Sequence, residues 1–291
     1  MKGIVLAGGT GTRLWPITRS VSKQLLPVYD KPMIYYPIST LMHAGVREIL
    51  IITTPEDQNQ FKNLLGDGSQ LGMRFKFEIQ LQPKGLAQAL LIAQEFLEQD
   101  SCLMILGDNL FHGYGLGGQL SKIGQQSACE IFLYEVAEPQ QYGVAEIDQH
   151  ARLISIEEKP KSPKSNLAIT GLYYFDNRAS NFAKEALPSE RGELEITSVI
   201  QEYLDRDEVF AHQLTRGTAW LDTGNVNSLH DASSYIRVLE ERTGLKIGCL
   251  EEIAYRSGWI DKTGLGKLIS PLSKNSYGKY LSRLLDEPIE K

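Results

Sequence analysis

Residues 3 to 31, GIVLAGGTGTRLWPITRSVSKQLLPVYDK, concentrate side chains suited to holding an anion. The apolar run Ile4-Val5-Leu6 stops at Ala7-Gly8-Gly9, and Gly8, Gly9 and Gly11 carry no Cβ. Their backbone can take positive φ and turn N–H groups toward a phosphate. Thr12 and Arg13 close the loop, and Lys23 and Gln24 follow a proline-interrupted stretch. A fork-shaped guanidinium, an ammonium and an amide are thus available to one ligand. A plain tight turn is the simplest other reading. Two better-known readings fail: the P-loop needs Gly-Lys-Ser/Thr where this loop has Gly-Thr-Arg, and the dinucleotide fingerprint needs a third glycine where Leu14-Trp15-Pro16 stands. A nicotinamide-dependent oxidoreductase is therefore not indicated.

Two carboxylates could complete a site for magnesium and a phosphate ligand. Asp108 ends the run Cys102-Leu103-Met104-Ile105-Leu106-Gly107, and Asp222 sits in Trp220-Leu221-Asp222-Thr223-Gly224. Magnesium takes one or two carboxylates together with phosphates and retained waters. Taken alone, each aspartate reads equally as a turn or helix N-cap residue. Glu157-Glu158-Lys159-Pro160 reads on its own as a solvated charge run. No histidine stands beside a serine or cysteine as a nucleophilic triad would require.

The elements that must carry these residues alternate. Strands are expected near 2–7, 48–53, 74–80 and 102–106, with helices near 37–45, 56–65 and 85–97 between them. That order predicts a doubly wound, largely parallel sheet, whose ligands bind beyond the carboxyl ends of the strands. Residues 129–175 break into short strand-like runs (130–136, 144–147, 153–156, 169–175), a mixed-sheet insertion. Helices at 177–186 and 195–204 and a strand at 209–213 follow. Leu229, Ala232, Ile236 and Leu239 mark one face of a helix over 228–242, and two further helices are expected at 249–257 and 274–285.

The blocks G-G-x-G-T-R-L at Gly8 to Leu14, P-x-T at Pro16 to Thr18 and K-x-L-L-P-V at Lys23 to Val28 resemble the signature of the sugar-nucleotidyltransferases. Tyr29 to Pro37 is most similar to the thymidylyltransferase branch, and the likeness runs from about residue 2 to about residue 285. It implies a Rossmann-like α/β fold with a mostly parallel mixed sheet, a catalytic core over 1–242 and a C-terminal helical segment over 243–291. The implied reaction is Mg2+-dependent transfer from dTTP to glucose 1-phosphate, giving dTDP-glucose and pyrophosphate, toward dTDP-L-rhamnose or another deoxysugar. A sugar phosphate has a second pKa of roughly 6, so its oxygen needs no general base at neutral pH.

The resemblance also implies roles. Gly8, Gly9, Gly11, Thr12, Arg13, Gln24 and Asp108 would hold the triphosphate, with Asp108 and Asp222, in L-G-D-N and W-L-D-T-G, as metal ligands. Arg13, Lys23, Lys159 and Asp108 would act in catalysis. Asn109, Tyr142, Gly143, Glu158, Lys159, Ile169, Arg191 and Thr197 would bind the sugar phosphate, on motifs that include E-E-K-P and R-G-E-L-E-I-T. The family's base-reading segment, Q-P-S-P-D-G-L-A-Q-A, is replaced by Gln80-Leu81-Gln82-Pro83-Lys84-Gly85-Leu86-Ala87-Gln88-Ala89. Gln80 and Gly85 keep the family's five-residue separation, and Gln82 is a rival. A regulatory nucleotide site would use Tyr114, Gly115, Glu252, Ile253 and Arg256, in a homotetramer inhibited by dTDP-L-rhamnose. A UTP-using uridylyltransferase is the nearest alternative. A non-catalytic nucleotide-sugar sensor would be expected to lack one of Arg13, Asp108 and Asp222, and all three stand here.

Composition agrees. The 291 residues are 42% hydrophobic and 23% charged, globular values. A net charge of −6 argues against general nucleic-acid binding. Cys102, Cys129 and Cys249 lack a metal-ligand rhythm and read as buried free thiols of a reducing compartment. Met1-Lys2-Gly3 leads into a core strand and no apolar run is long enough to span a bilayer, so a cytoplasmic protein without a signal peptide or membrane span is expected.

Overall fold

The computed structural model describes residues 1–287. β1 (Lys2–Ala7) ends at the glycine loop, and single helical turns lead to a small hairpin, β2 (Pro27–Val28) with β3 (Lys31–Pro32). Then come α1 (Tyr35–His43), β4 (Glu48–Thr53), α2 (Gln58–Leu65) and β5 (Arg74–Ile79). The short helices α3 (Gln88–Ile92) and α4 (Gln94–Leu97) precede β6 (Cys102–Leu106), β7 (Asn109–His112) and α5 (Leu116–Leu120). β8 (Cys129–Glu135), β9 (Gly143–Ile147), β10 (Leu153–Glu158) and β11 (Leu167–Phe175) follow. α6 (Ala179–Glu185), α7 (Ile196–Leu204), β12 (Val209–Gln213) and β13 (Ala219–Asp222) lead to α8 (Val226–Thr243), α9 (Leu250–Arg256), α10 (Lys262–Ile269) and α11 (Ser276–Leu284).

The main sheet runs β10-β9-β11-β6-β1-β4-β5, with β8 and β12 branching from β11. β6, β1, β4 and β5 are parallel. β11 turns the sheet antiparallel against β6, and β8 and β9 pair with it. The inner parallel strands β1, β4 and β6 are apolar on both faces, as strands covered by helices on either side must be, whereas the edge strand β5 alternates polar and apolar residues. Val5, Ile49, Ile51, Leu103 and Ile105 point into one cluster, and Ile4, Leu6, Leu50, Ile52 and Met104 into the other. This odd-even division follows from the two-residue repeat of a strand.

Three differences from expectation have local causes. The single helix over 85–97 is two short ones, α3 and α4, with Ala93 between them. Three helices, not two, follow residue 249, because Asp261 caps α10 by accepting from the Gly264 N–H at 2.7 Å. β7, β13 and α5 were not expected, since each is five residues or fewer and too short to show a period. Among the described residues no helix is long and apolar enough to cross a membrane, and the three cysteines are free and buried.

α9 packs into the main core through Leu250, Ile253 and Ala254. A buried ion cluster fixes the end of α8 beside the β2–β3 hairpin. Lys31 Nζ donates to Glu240 Oε1 at 2.9 Å and Asp30 Oδ1 at 2.5 Å, and Lys246 bridges the same two carboxylates. The side chains of Lys31 and Glu240 are 2% and 3% exposed. Removing one partner strands a buried charge, so Lys31→Met is expected to lower unfolding free energy by about 3–5 kcal/mol. Urea denaturation checks this; a loss under ~1 kcal/mol would show that the cluster is solvated in solution.

Candidate active site

The site forms where β1 and β6 end. Their register places Leu6 beside Leu106, so the loops leaving the two strands start together. Gly107 N–H donates to Leu6 O at 2.9 Å and starts the turn that presents Asp108. Gly11 has φ 63°, a left-handed conformation that favours glycine. Thr18 Oγ1 donates to its carbonyl at 2.7 Å, so the threonine of the P-x-T block anchors the glycine loop.

β7 and β13 pair antiparallel with Asp222 opposite Asn109, which brings the second aspartate alongside the residue after the first. Thr223 tightens the join, donating from its N–H at 3.1 Å and its hydroxyl at 2.8 Å to Asp108 O. Arg13 reaches the same place: a Cβ on Gly224 would lie 3.1 Å from Arg13 Nη2 and 3.2 Å from Asp222 Oδ1.

The two carboxylates differ electrostatically. Burial pushes the Asp108 carboxyl up, but the Lys23 charge and hydrogen bonds from Lys23 and Asn109 outweigh it and hold the pKa below the ordinary value. Asn109 Nδ2 donates to Asp108 Oδ1 at 3.0 Å, while its Oδ1 accepts from Trp220 Nε1 at 2.6 Å and Gly171 N–H at 3.2 Å. Asp222 has weaker help. Burial and then the Asp108 charge push its pKa up to about 6, with Lys23 and Arg13 opposing.

A second group of residues meets at the far end of the same cavity. Glu158 lies opposite Gly143 in the β9–β10 ladder. A Cβ on Gly143 would lie 3.2 Å from Thr197 Cγ2, 3.4 Å from Glu158 Oε2 and 3.6 Å from Ile169 Cδ1, so the missing methyl opens a cradle among three candidate residues. Thr197 Oγ1 donates to Glu158 Oε2 at 3.3 Å. Arg191 is shared between Glu158 (3.3 Å) and Glu195 (2.8 Å). Burial and then Glu195 raise the Glu158 pKa, against the pull of Lys159, Arg191 and Thr197. Lys159, with φ 44°, keeps its Nζ 3.8 Å from Glu158 Oε1.

Between these ends lies a cavity of about 470 Å³, within the range of small-molecule sites. It is lined by Gly9, Gly11, Thr12, Arg13, Lys23, Gln24, Gln80, Gly85, Asp108 and Asp222, and by Asn109, Tyr142, Gly143, Glu158, Lys159, Ile169, Arg191 and Thr197. Gly8 lies just behind, packed against Gln80. Gln80 is in the lining and its rival Gln82, exposed on the loop, is not. Gly85, at φ 106°, has no room for a Cβ, which would stand 2.3 Å from Leu194 O.

The sequence profile of the nucleotidyl transferase family matches residues 2–238. The chain belongs to the nucleotidyl transferase family. Curated relatives include the glucose-1-phosphate thymidylyltransferase of Xanthomonas campestris pv. campestris, 53% identical over 97% of this chain and 96% of that protein. The enzyme of the same name from Mycobacterium tuberculosis is 51% identical over 98% of this chain and 99% of its own. Among solved structures, UDP-glucose pyrophosphorylase complexed with UDP-glucose superposes with a TM-score of 0.73 at 26% identity, over 82% of this chain and 98% of that one.

Nucleotidyl transferases of this family use a divalent metal. The residues here fit one. Among the described residues no group of three or more His, Cys, Asp or Glu could hold an ion, whereas two adjacent, mostly buried carboxylates that repel each other suit a cation completed by substrate phosphates.

Several lining residues were not foreseen. Trp220 orients Asn109 and packs edge-on against Tyr142, with ring centroids 5.1 Å apart. Gly171 sits at a register shift in β11, where a Cβ would be 2.6 Å from Asn109 Oδ1. A glycine inside the apolar run 169–175 was the available signal. The regulatory candidates lie away from the cavity. Tyr114 is fully exposed, Gly115 caps α5, and Ile253 is buried in the core. Arg256 pairs with Glu252 and Glu287, each at 2.8 Å.

Repulsion within the carboxylate pair has a thermodynamic consequence. A folded-state pKa above the ordinary 3.8 means that ionising Asp222 costs stability as pH rises through about 6. Asp222→Asn should therefore raise the melting temperature of metal-free protein at pH 7.5, with the gain shrinking as pH falls through 6 toward 4. Thermal melts in chelator check it. A variant less stable than wild type across that range would contradict the repulsion.

Proposed function

We propose that the protein transfers a thymidylyl group from dTTP to α-D-glucose 1-phosphate, with Mg2+ as cofactor, forming dTDP-glucose and pyrophosphate. One observation carries the reading. A single cavity joins a glycine loop with Arg13 and Lys23 to a cradle of Gly143, Glu158, Ile169 and Thr197, with the two aspartates beside it. The thymidylyltransferase names of relatives about 50% identical over nearly the whole chain support the choice of substrates. The uridylyl alternative has less support, from structural similarity to UDP-glucose pyrophosphorylase at 26% identity.

In this mechanism the Gly9 to Thr12 segment and Arg13 hold the triphosphate. Glu158 accepts hydrogen bonds from sugar hydroxyls, and the Gly143 backbone lets the hexose approach. Lys159 steers the sugar phosphate, whose oxygen, ionised near neutral pH, attacks the α-phosphorus in line. The bond from the α-phosphorus to the bridging oxygen breaks, and Arg13 stabilises the charge gathering on departing pyrophosphate. Lys23 keeps Asp108 ionised and orders the phosphate side of the cavity. Asp108 and Asp222 would hold Mg2+, which when bound would supply positive charge to the phosphate oxygens. The acceleration is positional and electrostatic, with no covalent enzyme intermediate.

The same reading places the enzyme in the cytoplasm as a homotetramer, on a route to dTDP-L-rhamnose or another deoxysugar. It assigns end-product inhibition by dTDP-L-rhamnose to the surface formed by Tyr114, Gly115, Glu252 and Arg256 over the buried Ile253. That surface is separate from the cavity, and its elements α5 and α9 both pack on α1.

Pyrophosphate release measured over dTTP, UTP, glucose 1-phosphate and other hexose phosphates should show the dTTP and glucose 1-phosphate pair turned over best; preference for UTP would move the assignment to the uridylyl branch. Arg13→Ala should leave the fold intact and lower turnover by about 10²-fold or more, the scale of one lost oxyanion-type contact. Near-normal turnover in that variant would remove Arg13 from the mechanism. Non-competitive inhibition by dTDP-L-rhamnose should disappear in Arg256→Ala, and inhibition unchanged there would place the effector elsewhere.

A further inference from the structure

We propose that Gln88 sets which pyrimidine the cavity accepts, by locking the amide of Gln80 in one orientation. The inference rests on reading the Gln80 end of the cavity as the site of the nucleotide base. It starts from a donor whose role is fixed by chemistry. The backbone N–H of Lys84 points to the Gln88 side-chain amide at 3.0 Å. A backbone N–H only donates, so the atom it meets is the Gln88 oxygen. The same oxygen lies 2.8 Å from the amide of Gln80, which must therefore turn its Nε2 toward it.

The orientation of Gln80 follows from that chain of two bonds. With Nε2 engaged by Gln88, Oε1 is directed over Gly8, where a Cβ would stand only 2.2 Å away. Gly8 thus leaves room for the oxygen. Gln80 itself is held: it is 4% exposed, and its N–H donates to Thr53 O at 2.8 Å. Gln80 lines the cavity and Gln88 does not, so Gln88 acts as a positioning residue.

A fixed amide oxygen is an acceptor. Thymine and uracil carry an N–H at ring position 3 and can donate to it. Cytosine has a lone pair at that position and would set acceptor against acceptor, an unpaired polar contact of the kind that gives strong discrimination. The arrangement therefore separates thymine and uracil from cytosine, and leaves the choice between thymine and uracil to other contacts. Were the amide of Gln80 free to turn over, its Nε2 could serve cytosine equally well.

The test compares dTTP with dCTP in wild type, Gln88→Met and Gln88→Glu, by equilibrium binding and by turnover with glucose 1-phosphate. Methionine removes the acceptor and frees Gln80. Glutamate keeps an acceptor for both Lys84 N–H and Gln80 Nε2, and Gln88 is partly exposed, so the charge is tolerable. Wild type and Gln88→Glu should share a strong preference for dTTP. In Gln88→Met the preference should fall about tenfold or more, the scale of one hydrogen bond, through Kd and KM with kcat for saturating dTTP little changed. Wild-type discrimination in Gln88→Met, or equal loss in both variants, would overturn the role of Gln88 while leaving the transfer reading in place. Neither binding nor turnover of dTTP by wild type would sink both.

Discussion

The structure depends on two like charges being held together. The β7–β13 ladder sets Asp222 against the residue after Asp108, and two hydrogen bonds from Thr223 to the Asp108 carbonyl prevent the strands from separating. Side chains alone would not choose this arrangement, because adjacent buried carboxylates repel and one is driven toward its protonated form. Backbone pairing imposes it. The result sets two carboxylates, with Lys23 and Arg13 beside them, next to a glycine loop, a donor set that suits a cation completed by phosphate oxygens.

The surrounding residues make the close approach of the two carboxylates tolerable. Lys23 and Asn109 keep Asp108 ionised, and Asn109 is itself held by Trp220 and the Gly171 N–H. Arg13 stands beside Asp222 at Gly224. At the other end, Arg191 is shared by Glu158 and Glu195 in the same manner. The two ends are also tied through the backbone: Leu194 N–H donates to Lys84 O at 2.7 Å and Ala87 N–H to Leu194 O at 3.0 Å. Gly85 permits this close approach, so the loop bearing Gln80 and the segment bearing Arg191 and Thr197 are positioned by one another.

Much of this was legible in the chain. The strands at 2–7, 48–53 and 102–106 showed in their apolar runs because parallel strands buried on both faces cannot alternate. The glycine loop and its cations showed in residue types with little other use at that spacing. What stayed hidden depends on contacts between distant segments. β7 and β13 are four residues each and gain meaning only as a pair. Asn109 lines the cavity, and its ties to Asp108, Trp220 and Gly171 leave one amide N–H over, an arrangement the sequence could not display. That Gln80 lines the cavity and Gln82 does not is a fact that spacing left open.

The pairing of Asp108 with Asp222 around one cation is the claim on which the rest stands. Electron paramagnetic resonance titration of Mn2+, as a stand-in for Mg2+, in the presence of a non-hydrolysable dTTP analogue tests it most directly. The account predicts one tightly bound ion per wild-type chain and loss of that ion in both Asp108→Asn and Asp222→Asn, with each variant still folded. If either folded variant retained the ion with wild-type affinity, the two carboxylates would not share a cation and the account would be wrong.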